Sequence, residues 1–309
     1  MFLAIAAFAA SIALAGAQDL KSVTELYNAG AEYLSINDKA SALSSFQQAL
    51  SGAAELGEEG AEIVSNCKTV IPGIILSIGK EYYNIKDFDA ALEKIGEALA
   101  LAKEYGNDDI AVEAEGLISQ VGLQKDLAAG NEAFKTKDFA AAAESFRKVL
   151  EADPTHKTAS IRLVQALANA GDLAAAKEAY RIAVDNGKEE DARKVLGGAF
   201  LKQAAAALKA GKSAEAVEAA KESIAFVEDA KAYQIAGQAS YKMKKNAEAI
   251  PYFEKYLELA PDASNAGQIA LTIGALYQGL NNKAKALEYY KKAQALGQDV
   301  KAYIDAFSK

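Results

Sequence analysis

The sequence predicts an all-α fold, a solenoid of stacked antiparallel helix pairs ended by one further C-terminal helix. Three observations carry this expectation. Alanine, the strongest helix former, supplies 69 of the 309 residues. Only four prolines interrupt the chain. A spaced pattern of small and aromatic residues recurs along nearly all of it, and such a period marks a repeat architecture. Gly30 and Tyr33 lead to Ala42 and Phe46; Gly79 and Tyr82 lead to Ala91 and Ile95; Gly130 and Ala133 lead to Ala142 and Phe146. The frame returns at Gly237 with Ala249 and Phe253, and at Gly274 and Tyr277 with Ala286 and Tyr290. Two weaker copies lie between, Val164 with Ala176 and Tyr180, and Ala204 with Ala216 and Ala220.

Taken in order, residues 1–17 come first. They carry no charge, with an apolar run from Phe2 to Leu14 and then Ala15, Gly16 and Ala17, the small-x-small pattern of a secretory signal. The run falls short of the roughly 20 apolar residues of a membrane span, so cleavage after Ala17 is expected, with export to a periplasm or beyond and no integral span afterwards. No positive residue precedes the run, which leaves the true start codon open. Cys67 is the single cysteine; it can form no intrachain disulfide and reads as a buried helix residue.

Each repeat reads as two helices around a tight turn such as Lys86-Asp87-Phe88, Lys137-Asp138-Phe139 or Gly171-Asp172-Leu173. Small residues at the glycine and alanine positions let the helices approach, and the aromatic fills the remaining space. Successive repeats begin 49, 51, 34, 40, 33 and 37 residues apart. The extra residues of the first two keep helical periodicity, in Ile63, Val64, Cys67, Val70 and Ile71, and in Ile110, Val112, Leu117, Ile118 and Val121, so they predict longer helices rather than loops. Pro72 either kinks the first of these or begins a new helix. The expected division is 18–122 for the long repeats, 123–297 for the regular ones and 298–309 for an amphipathic capping helix.

This pattern resembles the tetratricopeptide repeat family, with its small residue and tyrosine, then A-x3-F, then a proline, the last seen here as Pro154 and Pro261. The resemblance spans nearly all of the chain after residue 17, about seven repeats. It implies a right-handed superhelix whose inner surface is lined by the first helix of each pair, serving as a protein-binding scaffold. Carried onto this sequence, the lining positions are Lys80, Tyr83 and Asn84; Asn131, Phe134 and Lys135; Gln165, Ala168 and Asn169; Gln238, Tyr241 and Lys242; and Ala275, Gln278 and Gly279. Tyr83, Phe134 and Tyr241 are the expected apolar anchors for a partner peptide or helix. One subtype grips a terminal carboxylate with a leading lysine and two asparagines. The matching positions here are Leu127, Asn131, Gln165, Gly198 and Lys202, and the leading lysine is missing.

Chemistry is expected to be absent. One His and one Cys cannot build a multi-residue metal centre; His156 sits in an inter-repeat turn; Gly197-Gly198 is too short for a phosphate loop; and Asp108-Asp109 and Glu189-Glu190-Asp191 read as helix N-terminal charges. No catalytic residue, metal or cofactor is therefore assigned. The net charge of −8 argues against nucleic acid as a partner. It conceals two halves, −12 over residues 18–154 and +4 over residues 155–309, which either orient a charged partner or record drift on solvated faces. The rival functions are self-assembly into a homo-oligomer of an envelope complex, and binding of a glycan or cell-wall fragment.

Overall fold

The computed structural model describes residues 19–306, and the expected signal at residues 1–17 lies outside them. The described residues contain fifteen α-helices and no strand. They run α1 (Leu20–Ser35), α2 (Lys39–Glu55), α3 (Ala61–Asn84), α4 (Phe88–Tyr105), α5 (Asp108–Lys135), α6 (Phe139–Ala152), α7 (Lys157–Ala170), α8 (Leu173–Asp185), α9 (Glu189–Lys209), α10 (Ser213–Phe226), α11 (Ala230–Lys242), α12 (Asn246–Leu259), α13 (Ala266–Gly279), α14 (Lys283–Ala295) and α15 (Lys301–Ala306). The chain divides into two compact units, residues 1–125 and 126–309, with the change falling inside α5. Each unit stacks antiparallel helix pairs as a solenoid does.

The pairs form where the sequence spacing places them. Each turn between partners carries one left-handed residue, which is Asn37, Lys86, Lys137, Gly171, Gly211, Lys244 or Asn281. In five of these turns the next residue caps the second helix. Asp38, Asp87, Asp138, Asp172 and Asn282 accept the backbone N–H three residues on, satisfying a donor that the helix start would otherwise leave open. Behind the turn, the seven alanines of the repeat frame (Ala42, Ala91, Ala142, Ala176, Ala216, Ala249 and Ala286) are all fully buried. The glycines work against their aromatics. A Cβ built on Gly237 would stand 2.6 Å from the Phe253 ring, one on Gly130 2.8 Å from Phe146 and one on Gly274 2.7 Å from Tyr290. The fourth repeat lacks the glycine. Buried Val164 occupies that space, and Tyr180 lies half-buried, edge-on to Phe226 at 5.4 Å.

In residues 1–125 the extra length is helix, as the periodicity predicts: α3 has 24 residues and α5 has 28. Cys67, Ile71, Ile74, Ile75 and Leu76 of α3 and Val121 of α5 join one core with Ile95 of α4. Helix α3 continues through Pro72 without a break. A proline there has no N–H to offer the carbonyl four residues back, and that carbonyl, on Lys68, accepts instead from the Asn107 side chain at 2.9 Å. The segment 57–84 is, among the described residues, long and apolar enough to cross a membrane by length and composition; its apolar side packs into the core just described. Cys67 is fully buried, and burial pushes its thiol up to about 11. The final helix, α15, packs on α14.

Candidate functional site

In the unit of residues 126–309, the first helices α7, α9 and α11 touch one another in succession. Each buries one side and opens another. On α11, Ala232, Ile235, Ala236, Ala239 and Ser240 are buried, while Lys231, Gln234, Gln238, Tyr241 and Lys242, at helical spacing, face outward in part or wholly. On α7 the open series is Thr158, Arg162, Gln165 and Asn169, and on α9 it is Asp191, Val195, Gly198, Lys202, Ala205 and Lys209. The open sides of adjacent first helices form a face on which long side chains stand free of the packing behind them.

The expected residues have different surroundings. Tyr241 is 50% exposed, and Gln238 and Lys242 lie beside it on the same side of α11. Phe134 is half-buried, edge-on to Phe139 at 5.3 Å, and the Arg162 guanidinium lies over its ring at 5.3 Å. Arg162 also donates to the Gln165 side chain at 3.2 Å, while the Asn169 amide donates to the Gln165 backbone carbonyl at 2.8 Å. Phe134, Arg162, Gln165 and Asn169 thus form one connected group. Lys135 approaches Glu132 at 3.5 Å, and Asn131 is exposed one turn earlier. Gln278 is held from behind, accepting from the Tyr290 hydroxyl.

The residues expected in the other unit are more occupied. Lys80 pairs with Glu113 at 2.6 Å, and the Tyr83 hydroxyl accepts from Gln120 at 3.3 Å, both across α3 and α5. Asn84 is exposed at the end of α3. This unit also holds a cleft of about 440 Å³ between the α1–α2 turn and α3, lined by Ile78, Tyr82 and Ile85 and bridged by the ion pair of Lys39 with Glu81.

Three groups on the open face of residues 126–309 escaped the motif-based selection. Arg162 stands one place beyond a motif position, and its three-residue spacing from Gln165 was the signal that could have found it. Lys209 and Lys231 occupy lining positions of their repeats but lie in or beside the weakest copy, where the frame is hardest to read. His156 caps α7, its Nδ1 accepting from the Ala159 backbone at 3.1 Å. Asp108, Asp109, Glu189, Glu190 and Asp191 all lie in the first turns of their helices.

Residues 127–197 match a tetratricopeptide repeat family model, and residues 230–263 and 268–296 match a second. Among solved structures, the crystal structure of MamA protein is 23% identical over 59% of this chain and 95% of its own, with a TM-score of 0.34. A MamA fragment from Desulfovibrio magneticus RS-1 is 16% identical over 57% and 94%, with a TM-score of 0.33. YrrB, described as a TPR protein with an unusual peptide-binding site, is 21% identical over 58% and 89%, with a TM-score of 0.31. Residues 127–197, 230–263 and 268–296 are thus tetratricopeptide repeats.

Proposed function

We propose that this chain is a non-catalytic scaffold for protein–protein interaction, and that the open face of its first helices captures an extended peptide or a helix of a partner. The observation that carries the reading is Tyr241. It is a large amphipathic ring left half-exposed between an amide and a lysine, on a helix whose opposite side is fully packed. Such a ring supplies contact area at small entropic cost when a partner covers it. Phe134 under Arg162 offers a second platform. Export is part of the same proposal and rests on the apolar run and small-residue site of residues 1–17.

The test is affinity capture from an envelope extract with the full chain and with Tyr241→Ala. Tyr241 is too exposed to support the core, so the variant keeps the parent melting temperature. Loss of a partner that the parent retains supports the proposal, and unchanged capture sinks it. Adding Tyr83→Ala and Phe134→Ala tests the other two anchors, with near-ultraviolet circular dichroism monitoring the fold.

A second reading, self-assembly, is favoured by Ile36 and Ile85. They stand 71% and 73% exposed at equivalent turns of the first two pairs, where a second copy would shield them. Light scattering on a strictly monomeric chain would remove this reading.

A further inference from the structure

The charges of residues 126–309 are sorted by helix end. Helices α9 to α14 pack in succession, so their antiparallel order puts the turns inside the pairs α9–α10, α11–α12 and α13–α14 at one end and the connections between pairs at the other. From the last four residues of each first helix to the first four of the second, these three turns hold seven lysines, no arginine and two acidic residues. Lys212, Lys245 and Lys285 pair with Glu215, Glu248 and Glu288, three residues on. Among the described residues, Lys209, Lys242, Lys244 and Lys283 have no carboxylate within ion-pair distance. The same windows at the connections α8–α9, α10–α11 and α12–α13 hold eight acidic residues and two lysines. The earlier turns of the unit, α5–α6 and α7–α8, hold three acidic residues and two lysines. Since the unit as a whole has 26 basic and 24 acidic residues, the basic end reflects placement and not an excess of lysine.

Folding does not account for this placement. Asp138 and Asp172 cap the second helices of the two earlier pairs. At α10 and α12 that position is Lys212 and Lys245, and neither makes a side-chain cap. Each forgoes a hydrogen bond and sets a cation at the positive end of the helix dipole. A local rule broken at the same place in two successive pairs marks a position used for something other than stability.

We propose that this basic end of the stack docks on the surface of an anionic lipid bilayer. Exposed lysines at the tips of three neighbouring turns present a diffuse positive field, and a membrane rich in anionic headgroups is the broad partner of opposite sign that it fits. Lysine supplies point charges rather than the planar fork that arginine offers to individual phosphates. Leu280 favours a bilayer over a nucleic acid. It stands 48% exposed in the α13–α14 turn, three residues from Lys283, where the headgroup boundary takes up an apolar side chain. The acidic connections at the far end are repelled by the same surface, which orients the unit with its turns toward the membrane. The docking end lies across the helix tips, and the proposal does not depend on what the open face of the first helices binds.

The probes are vesicles of phosphatidylcholine alone and of equal parts phosphatidylcholine and phosphatidylglycerol. Co-sedimentation of the full chain is expected to show about tenfold stronger partition to the anionic vesicles. Comparing the two compositions cancels any contribution of the apolar residues 1–17. Raising the salt to about 1 M, where the screening length falls to roughly 3 Å, should erase the preference. The turn variant Lys212→Asp, Lys244→Asn, Lys245→Asp, Lys283→Gln gives α10 and α12 the caps of the earlier repeats, so it should melt no lower than the parent while losing the preference. The reversal Lys148→Glu, Lys157→Glu, Lys291→Glu changes the charge by the same amount at exposed positions elsewhere in the unit, and should keep it. The chain has no tryptophan, so Leu280→Trp supplies a single reporter whose emission should shift to the blue on anionic vesicles. Equal partition to both vesicle types overturns the proposal. A preference that survives the turn variant, or that the charge-matched reversal loses equally, also overturns it. Co-sedimentation without a blue shift, or displacement of the chain from vesicles by single-stranded DNA, overturns the lipid assignment.

Discussion

The unit of residues 1–125 and the unit of residues 126–309 use one repeat frame to different ends. The first has 8 basic and 18 acidic residues and spends its extra length on two long helices, whose isoleucines, leucines and valines merge into a single aliphatic core. The second keeps most helices to 13 or 14 residues and relies on buried alanine with a few buried aromatics such as Phe146, Phe253 and Tyr290, and its core includes separate clusters around α9–α11 and α12–α14. The contrast shows that the frame of small residue, alanine and aromatic builds the pair, while inserted length decides how far cohesion spreads beyond it. It also separates chemistry. In the first unit Lys80 on α3 and Lys125 on α5 are tied to Glu113 and Asp89, and Lys68 lies over the Tyr105 ring; in the second, several first-helix cations remain open.

The largest expected effect tests that difference in cohesion. Ile75→Ala, at a fully buried site of the long-helix core, and Phe146→Ala, at a fully buried aromatic site, should each cost about 3–5 kcal/mol in denaturant unfolding. Hydrogen exchange should distinguish them. Ile75→Ala should lower protection across α1–α4 together, while Phe146→Ala should lower it mainly in α6–α8, as nearest-neighbour coupling predicts. Protection lost only within α3 after Ile75→Ala would break the comparison.

Glycine substitutions come next. Gly237→Ala pushes a methyl group against the Phe253 ring and should destabilise by about 1–3 kcal/mol. Gly96→Ala, within α4 and with no atom near its new Cβ, should stabilise by up to about 1 kcal/mol. Thermal melts of the two variants should move in opposite directions. Smaller again is Asn107→Ala, which strips the Lys68 carbonyl of the partner that replaces the N–H missing at Pro72. About 1 kcal/mol is expected, with faster exchange confined to the middle of α3.

The mildest effect is on pH dependence and falls on the second unit. Burial, and then hydrogen bonding to Glu254, push the Tyr277 hydroxyl up to about 12, and the same causes raise Tyr289. The folded values lie above the free value of about 10. The contribution is therefore complete below pH 10 and is lost as pH rises toward the folded values, because the unfolded chain releases protons that the fold retains. Phenolate absorbance at 295 nm should appear late for these two tyrosines, and the unfolding midpoint of the second unit should fall between pH 10 and 12. Glu254→Gln should narrow the delay.

Much of this was legible without coordinates. The glycine, alanine and aromatic positions locate every pair because helix geometry converts a fixed spacing into a fixed contact, and the turn asparagines and aspartates mark their own caps. The long helices were legible from periodicity. The site was less so. Motif positions identify which helix side opens outward, but not which open side chains are engaged by neighbours far along the chain: Tyr83 and Lys80 read like Tyr241 and Lys242 until Gln120 and Glu113 are seen to reach them. Arg162 was signalled only by its spacing from Gln165, and its place over the Phe134 ring, 28 residues earlier, could not be read from the sequence.

The sequence by itself determined the helical class, the pairing, the capped turns and the burial of the frame alanines, since all of these follow from local propensity and short-range spacing. Only the tertiary structure decided how α3 passes Pro72, where Tyr180 lies once Val164 takes the glycine's space, and which cations stay unpaired. Those outcomes depend on groups brought together from distant parts of the chain, and a repeat pattern specifies the helices that meet without specifying what each side chain finds there.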